Sequence, residues 1–338
     1  MKILEIASDA PPYKGGLARL VGILSSGLRL RGHKVEVLAP KLRFKEFKPS
    51  TIPLQRRDDY DVIHLHGPTP FLSDLTLLFN RSGIPIVYTH HAEVTWWLSE
   101  RLSRVYCKFH RFLSKKAKAV IVHSWDYVHL FDKCNANTFL IRIPCPLEPP
   151  NDFNVEDKLS KQFTVLFVGQ FRPYKGINLL LKVANILKDV KFILTGEGYM
   201  KPKIMREAEG LENVEFHDAP TDEDLKELYK NAHVICLPSI NTSEAWGIVL
   251  TEGALYGCLP VASNLPGVRE NISLLRGLTF ERGSYTSLAT KIKRLSEDRA
   301  LWLSLAKSSQ EAAYKYANTY TTEYYVLEHE KIFKNCLQ

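Results

Sequence analysis

Hydrophobic residues occur in short runs along the chain, and longer amphipathic segments separate these runs. In the first half, the runs that predict buried strands are Ile3–Ala7, Val35–Ala39, Val62–Leu65, Ile84–Tyr88, Val120–Val122 and Phe139–Ile143. The segments that predict helices are Gly15–Arg31, one after Ser73, one from about Thr95 to Lys116, and one after Trp125. Such alternation is typical of a parallel sheet covered by helices on both faces.

The same plan returns after a proline-rich segment. Four prolines lie within residues 144–150 and a polar stretch follows to Gln162, which predicts a domain linker. Strands are then predicted at Thr164–Val168, Lys191–Leu194, Val214–Phe216, Val234–Leu237, Leu259–Ala262 and near Leu278–Phe280. Helices are predicted at Asn178–Lys188, Met200–Glu209, Asp222–Asn231, Ile248–Tyr256, from Ser287 to about Ala317, and at Thr321–Lys334. We therefore predict an α/β fold of two open, Rossmann-like domains that face each other and bind ligands beyond the carboxyl ends of their strands.

Composition narrows the class of protein. The 338 residues are 45% hydrophobic, as expected for two globular domains with sizeable cores. No run of about 18 apolar residues occurs, so we expect no transmembrane helix. Glu5 interrupts the first apolar run, which predicts a strand and not a signal peptide. The six cysteines are scattered without a Cys-x-x-Cys pair, which favours reduced thiols in a cytoplasmic protein.

Positive charge is concentrated in the first half of the chain. Residues 1–150 hold 22 Lys and Arg against 13 Asp and Glu, a net charge of +9, whereas residues 151–338 hold 23 against 24, a net charge of −1. This asymmetry predicts that the first half meets an anionic partner, such as a membrane surface or a phosphate-bearing substrate. A charge bias that only favours solubility is the alternative.

Two glutamates eight residues apart, Glu244 and Glu252, flank a helix that is predicted to begin near Gly247. They follow the predicted strand at Val234–Leu237. A helix amino terminus attracts phosphate through its free backbone N–H groups, and the two carboxylates suit the hydroxyls of a sugar and of a ribose. The pattern therefore indicates a nucleotide-sugar site. An exposed glutamate pair on an ordinary helix is the alternative.

Other strand exits carry glycine or positive charge. Gly15 and Gly16 follow the first strand, where the missing side chains let a phosphate approach the backbone. In the second domain a short basic loop follows the first strand, and there Arg172 and Lys175 can stabilise the negative charge of a departing diphosphate. Leu194–Gly198 is a further glycine-lined exit that suits a base or a ribose. Ordinary tight turns and solvated surface cations are the alternatives.

Four histidines stand on or after two neighbouring strands of the first domain. His90 and His91 lie just past a strand end, where an imidazole can serve in acid–base or hydrogen-bonding chemistry; a structural histidine is the alternative. His64 and His66 lie on the strand that precedes this one along the chain and point to one face of the sheet, so the four rings together could look like a metal site. Because no carboxylate stands at ligand spacing in the sequence, we predict that no metal binds.

Several motifs of the chain, in their order and their separations, resemble those of the retaining glycosyltransferases of family 4, also called glycosyl transferases group 1. The motifs that carry the resemblance are Gly15-Gly16, His91, Gly169 with Lys175-Gly176, Gly196-x-Gly198, Pro238-Ser239, Glu244-x7-Glu252 and Gly257-x-x-Pro260-Val261. The resemblance covers almost the full chain and is most specific over residues 234–267. It implies the GT-B fold, in which a cleft separates two Rossmann-like domains. Residues 1–148 would form the acceptor domain and residues 149–318 the donor domain, and a helix at about 319–338 would cross back onto the first.

The resemblance also implies a role for individual residues. Glu244 would hold the hydroxyls of the donor sugar, and Glu252 the ribose hydroxyls of the nucleotide. His91 would hydrogen-bond the sugar near its reacting carbon, and Lys175 with Arg172 would neutralise the diphosphate. The residues that would surround the rest of the donor are Gly15, Gly16, Gly169, Glu197, Gly198, Gly247, Ile248 and Val249. No metal or other cofactor would be needed, and the anomeric configuration would be retained.

The activity that the resemblance implies is transfer of a hexose from a UDP- or GDP-linked sugar to a hydroxyl of a glycan or lipid-linked acceptor. Gln170 stands where the family usually has arginine, so charge stabilisation would rest on Arg172 and Lys175. The alternatives are a phosphorylase or sugar epimerase on a similar scaffold, and a nucleotide-sugar-binding partner without turnover. No nucleic-acid-binding module is recognisable, so we expect no nucleic-acid partner.

The predicted helix after Thr95–Leu98 carries both aromatic and basic residues. Its basic residues, and those just after it, are Arg101, Arg104, Lys108, Arg111, Lys115, Lys116 and Lys118. Aromatics beside a basic helix suit an anionic membrane, so we hypothesise peripheral contact at the inner face of the membrane. In the alternative, the apolar residues of the helix pack on the sheet and its cations are solvated. These apolar residues are Leu102, Val105, Phe109, Phe112 and Leu113.

Overall fold

The computed structural model describes residues 1–13, 15–40, 59–80, 83–95, 100–132, 134, 137–150 and 153–338. The chain folds into two compact units. The first comprises Met1–Pro144 together with Tyr320–Gln338, and the second comprises Cys145–Thr319.

The first unit contains a six-stranded parallel sheet in the order β2-β1-β3-β4-β5-β6. Its strands are β1 (Lys2–Ile6), β2 (Lys34–Leu38), β3 (Val62–Gly67), β4 (Ile86–His90), β5 (Ala119–Val122) and β6 (Thr138–Leu140). Its first four helices are α1 (Gly16–Leu30), α2 (Ser73–Phe79), α3 (Glu100–Leu113) and α4 (Trp125–Phe131). Every residue of β3, β4 and β5 is buried, which is the pattern of a parallel sheet covered on both faces.

The second unit contains a six-stranded parallel sheet in the order β12-β11-β10-β7-β8-β9. Its strands are β7 (Thr164–Val168), β8 (Lys191–Thr195), β9 (Val214–His217), β10 (Val234–Leu237), β11 (Leu259–Ser263) and β12 (Leu278–Phe280). Its helices are α5 (Ile177–Ile186), α6 (Lys201–Glu207), α7 (Asp222–Asn231), α8 (Ile248–Leu255), α9 (Val268–Leu274), α10 (Tyr285–Glu297) and α11 (Arg299–Thr319). The strand order is that of a doubly wound nucleotide-binding fold, and its direction reverses between β7 and β10. The predicted α/β fold with two parallel sheets is confirmed.

Several predicted boundaries are wrong, and one of them is the end of β6, which lies at Leu140 and not at Ile143. The helix expected from Ser287 to Ala317 is two helices, α10 and α11, which meet at Asp298. The backbone of Asp298 leaves the helical region (φ −110°, ψ 84°), and its Oδ1 accepts a hydrogen bond from the N–H of Leu301 at 2.8 Å. A short acidic side chain that caps a new helix in this way ends the preceding one. In the first unit, β4 lies two residues later than the predicted strand.

The last helix, α12 (Thr322–Asn335), packs against α1 within the first unit. Thr321 caps its amino end by accepting a hydrogen bond from the N–H of Tyr324 at 3.0 Å. Near its carboxyl end, Glu330 accepts a hydrogen bond from Nε of Arg31 at 2.6 Å and lies 2.9 Å from Nε2 of His33. The chain therefore returns to its first unit after completing the second.

Candidate active site

Lys175 and Glu244 form an ion pair at the carboxyl edge of the second sheet. Lys175 ends the 3₁₀ turn Pro173–Lys175 that follows β7, and Glu244 lies in the loop after β10. The distance from Lys175 Nζ to Glu244 Oε2 is 2.6 Å, and the two side chains are 13% and 11% exposed. Since β7 and β10 are the neighbours at which strand order reverses, the pair lies where open α/β sheets bind ligands.

The surroundings of this pair keep the lysine charged. Burial disfavours the Lys175 ammonium, but the negative charge and hydrogen bond of Glu244 outweigh that cost and raise the pKa of Lys175 above its usual value. Ser239, which is fully buried, also donates a hydrogen bond to Glu244 Oε2, at 3.2 Å. A fixed cation beside a fixed carboxylate can bind a phosphate and a sugar hydroxyl side by side.

A glycine allows the two loops of the pair to meet. Gly176 has φ 66°, and a side chain there would collide with the backbone carbonyl of Pro238. The N–H of Ile240 donates to the carbonyl of Tyr174 at 2.8 Å and joins the loops a second time. The positions of Lys175 and Glu244 are therefore set by backbone packing.

The start of α8 lies on the same loop as Glu244. Gly247 precedes the helix in a left-handed conformation (φ 76°), where a side chain would press on Leu237. The backbone N–H groups of Ile248 and Val249 belong to the first turn of α8, which has no intrahelical acceptors and suits a phosphate. Asn271 Nδ2 donates to the carbonyls of Trp246 at 3.0 Å and Gly247 at 3.2 Å, so this turn is held in place.

Glu252 lies in the second turn of α8 and is only 2% exposed. Its Oε2 accepts a hydrogen bond from Oη of Tyr229 at 2.9 Å. Burial, followed by the charge of Glu252, raises the pKa of Tyr229 well above its usual value, so the phenol stays protonated and donates. The structure thus places both glutamates of the sequence pattern in one unit, but in different environments.

Other residues that the sequence singled out follow the ends of β7 and β8 in the same unit. Gly169 lies against Lys175, because a side chain at position 169 would contact Nζ at 3.6 Å. The guanidinium of Arg172 stacks over the ring of Tyr199 at 5.3 Å. Glu197 accepts a hydrogen bond from Lys201 at 3.3 Å, and the backbone of Gly198 passes the Phe171 carbonyl so closely that a side chain would overlap it.

His91, Gly15 and Gly16 belong to the first unit. Gly15 precedes α1 and Gly16 is its first residue. His91 Nε2 lies 2.8 Å from Nδ1 of His66. Burial, followed by the neighbouring His66, lowers the pKa of His91 well below its usual value. His91 is therefore a neutral imidazole suited to hydrogen bonding.

A carboxylate stands beside His64 and His66 in the structure, so its absence at ligand spacing in the sequence does not exclude a metal site. Glu5 on β1 pairs in register with His64 on β3, and its carboxylate lies 4.0 Å from His64 and 3.6 Å from His66. Spacing along the chain cannot show this carboxylate, because parallel pairing of β1 and β3 brings it to the histidines. Whether the proposed reaction needs a metal stays a prediction.

The surface of α3 differs from the alternative in which the apolar residues of this helix pack on the sheet. Its buried residues are Ser103, Cys107, His110 and Leu113. The apolar side chains that are 46–62% exposed are Leu102, Val105, Phe109 and Phe112. The alternative is therefore right for Leu113 and wrong for the other four residues, while Trp96, Trp97 and Leu98 lie outside the described residues. Within the described ranges, no helix has the length and apolarity that crossing a bilayer requires.

Sequence reasoning missed the supporting roles of Ser239, Tyr229 and Asn271. Each is a polar residue that is fully buried, and each hydrogen-bonds to the candidate site through the contacts described above. Polar residues within apolar stretches were the available signal, but burial and partner are tertiary properties.

Two family models match the chain. The model described as glycosyl transferases group 1 matches residues 149–316, and the model described as Glycosyltransferase Family 4 matches residues 42–135.

Relatives with described activities match in sequence. The O-antigen chain mannosyltransferase C of Escherichia coli is 32% identical over 213 residues, 60% of this chain and 56% of the relative. The D-rhamnosyltransferase WbpZ of Pseudomonas aeruginosa is 28% identical over 66% of this chain and 58% of the relative. The matched region thus spans somewhat more than half the length of these two relatives. The phosphatidyl-myo-inositol mannosyltransferase of Mycobacterium leprae is 27% identical over 80% of each chain.

Solved structures share the fold. HepE of Anabaena, crystallised in complex with UDP, superposes with a TM-score of 0.72 at 18% identity, covering 99% of this chain and 100% of the other. WaaG, a glycosyltransferase involved in lipopolysaccharide biosynthesis, superposes with a TM-score of 0.70 at 16% identity, covering 98% and 99%. These likenesses show the GT-B architecture, and the two family models show that the chain belongs to the glycosyl transferases group 1, glycosyltransferase family 4.

Proposed function

We propose that this protein is an enzyme that transfers a hexose from a UDP- or GDP-linked sugar to a hydroxyl acceptor, with retention of the anomeric configuration. The observation that carries the proposal is the Lys175–Glu244 ion pair beside the start of α8, at the reversal point of the second sheet. The alignment of the Mycobacterium leprae mannosyltransferase, which spans 80% of both chains, supports it.

The chemistry follows from the charges at this site. Breaking the bond between sugar and diphosphate leaves negative charge on the diphosphate, which Lys175 and the first amides of α8 stabilise. Glu244 accepts hydrogen bonds from the sugar hydroxyls and Glu252 from the ribose. The family usually has an arginine at the position of Gln170, and here Arg172 supplies that second positive charge. Neutral His91 hydrogen-bonds the sugar, and no metal takes part at the reacting carbon.

The names of the relatives support a hexose donor and a glycan or lipid-linked acceptor. Two are named mannosyltransferases and one a rhamnosyltransferase, and the acceptors in those names are an O-antigen chain and a phosphatidylinositol. In this proposal the second unit binds the donor and the first binds the acceptor. The exposed apolar and basic residues of α3 support a peripheral position of the enzyme at the inner face of the membrane.

A panel of nucleotide sugars tests the proposal. The protein is heated with UDP-, GDP- or ADP-sugars. We expect the nucleotide sugars that carry one of these bases to raise the Tm, because a ligand that binds the native state stabilises that state by mass action. Release of the free nucleotide without added Mg²⁺ or Mn²⁺ then separates an enzyme from a binding partner without turnover. Stabilisation by no sugar of the panel would refute the donor site, and product NMR reports the anomeric configuration.

A further inference from the structure

A carboxylate and two imidazoles meet in the interior of the first unit, away from the Lys175–Glu244 pair. Glu5 Oε2 lies 3.6 Å from His66 Nε2, and Glu5 Oε1 lies 4.0 Å from His64 Nδ1. All three residues are fully buried, and one ligand atom from each lies within 4.8 Å of the other two. These separations are too long for direct hydrogen bonds.

The facing atoms have no other protein partner. Among the described residues, no hydrogen-bonding group reaches either carboxylate oxygen of Glu5, Nδ1 of His64 or Nε2 of His66. A buried carboxylate without a partner costs several kcal/mol. A single group that binds the carboxylate and both ring nitrogens together would satisfy all of these atoms.

The opposite nitrogen of each ring is engaged. His64 Nε2 lies 2.7 Å from Oγ1 of Thr89, and His66 Nδ1 lies 2.8 Å from Nε2 of His91. When each of these outer nitrogens carries the proton and donates it, the inner nitrogens present lone pairs to Glu5. Metal-binding histidines show this arrangement, because the outer hydrogen bond fixes the ring and its tautomer.

We propose that Glu5, His64 and His66 bind one divalent first-row metal ion, for which Zn²⁺ is the leading candidate. Two imidazole nitrogens and one carboxylate oxygen form a ligand set that zinc accepts in tetrahedral geometry. A tetrahedral ion holds its ligand atoms roughly 3.4 Å apart, so the three ligand atoms, which lie within 4.8 Å of one another, must draw closer together around it. The fourth position is left to water.

The ion would be structural and would cross-link β1 to β3. It would also act on His91 through His66. With metal on Nε2 of His66, Nδ1–H of His66 donates to Nε2 of His91 and leaves the proton of His91 on Nδ1. The site is assigned from this cluster alone, so it stands or falls separately from the proposed sugar transfer.

Metal analysis of the full chain tests the site. The protein is produced without a polyhistidine tag, and its zinc content is measured by mass spectrometry before and after a chelator. We expect about one equivalent, and we expect Zn²⁺ added to the stripped protein to raise the Tm in a saturable way. The Glu5→Gln and His66→Gln variants should lose both effects.

His110→Gln is the matched control. His110 is a buried histidine of the same unit whose Nε2 lies 2.8 Å from Oγ of Ser73, outside the cluster, and this variant should keep the metal. A wild-type content below about a tenth of an equivalent with no saturable Tm rise overturns the proposal, as does full metal content in Glu5→Gln and His66→Gln. If those variants do not fold, Co²⁺-loaded wild type decides. A tetrahedral spectrum without thiolate bands supports the site, and any other spectrum refutes it.

Discussion

At the scale of single residues, Lys175 and Glu244 stabilise each other's charge across two loops. The sequence predicted that both belong to a donor site, because each follows a strand end. It did not predict their contact, since 69 positions separate them. Only the pairing of β7 with β10 makes those strand ends neighbours.

Replacing Glu244 tests the residue that we place against the donor sugar. Glu244→Gln keeps the shape of the side chain but removes its charge, so transfer should fall roughly 100-fold or more, as for other groups that stabilise a transition state. The Tm should change by only a few degrees, because the pair lies at a sheet edge. The measurement is nucleotide release and transfer at saturating donor.

The matched control is Glu212→Gln, which changes an exposed glutamate of the same unit and should leave transfer unchanged. Wild-type transfer by Glu244→Gln would remove Glu244 from the site.

A second residue-scale prediction concerns Lys158, which is fully buried in the second unit. Its ammonium donates to the carbonyls of Tyr229 at 2.9 Å, Ala232 at 2.6 Å and Tyr256 at 2.7 Å. Lys158→Met removes these three charged hydrogen bonds and should destabilise the unit by about 3 kcal/mol, which lowers the Tm by roughly 5–10 °C. Lys161→Met, which changes an exposed lysine nearby, should change the Tm little. Equal Tm values for the two variants would contradict a structural role for Lys158.

At the scale of elements, hydrophobic periodicity placed the strands well and the helix ends less well. Strand runs such as Val234–Leu237 are short, apolar and bounded by polar residues, so the pattern alone finds them. The break between α10 and α11 depends on the hydrogen bond that Asp298 accepts from Leu301. An acidic residue inside a helical pattern is not enough to predict such a helix cap. Helix α9, which is only seven residues long, was not predicted.

Helix α3 gives an element-scale prediction. Its apolar side chains Phe109 and Phe112 are 46% and 62% exposed beside a row of cations. Full-length protein should therefore float with vesicles that contain anionic lipid, and high salt should reduce binding by screening the cations. Phe109→Ser combined with Phe112→Ser should weaken flotation several-fold, because apolar area in the interface is lost.

Two exposed apolar residues on helices of the second unit provide the matched control for this flotation. Ile186→Ser combined with Met205→Ser removes side chains that are 53% and 46% exposed, and this variant should float like wild type. Flotation that is insensitive to salt, or equal loss in both double variants, would contradict a membrane surface on α3.

At the scale of the whole molecule, the first unit depends on its return helix. Glu330 of α12 contacts Arg31 and His33 at the end of α1, and it pairs with Lys334 on its own helix. Burial would raise the pKa of Glu330, but hydrogen bonds from Lys334, His33 and Arg31 lower it to about 2. The last helix of the chain is thus fastened to the first by charge as well as by apolar packing.

This shift predicts how stability depends on pH. Because the folded-state pKa of Glu330 lies below its ordinary value, the stabilisation is complete above about pH 4.5 and is lost as pH falls toward about 2. Glu330→Gln should therefore lower the stability of the first unit by about 1–2 kcal/mol at pH 7, and its difference from wild type should shrink between pH 4.5 and 2. Hydrogen exchange of the backbone amides in α1 and α12 measures this difference in stability.

Glu328→Gln is the control, since Glu328 pairs with Lys331 on its own helix. A difference between Glu330→Gln and wild type that stays constant down to pH 2 would contradict the assigned cause.

The sequence by itself determined the order of strands and helices, the two-domain plan and the strand exits that carry chemistry. It could do so because hydrophobic periodicity, glycine at turns and polar residues after strands are local properties of the chain. The tertiary structure alone decided the contact of Lys175 with Glu244, the buried group of Glu5 with His64 and His66, and the contacts of Glu330 on α12 with Arg31 and His33. These depend on which strands lie side by side, and burial then sets their charge and hydrogen bonding.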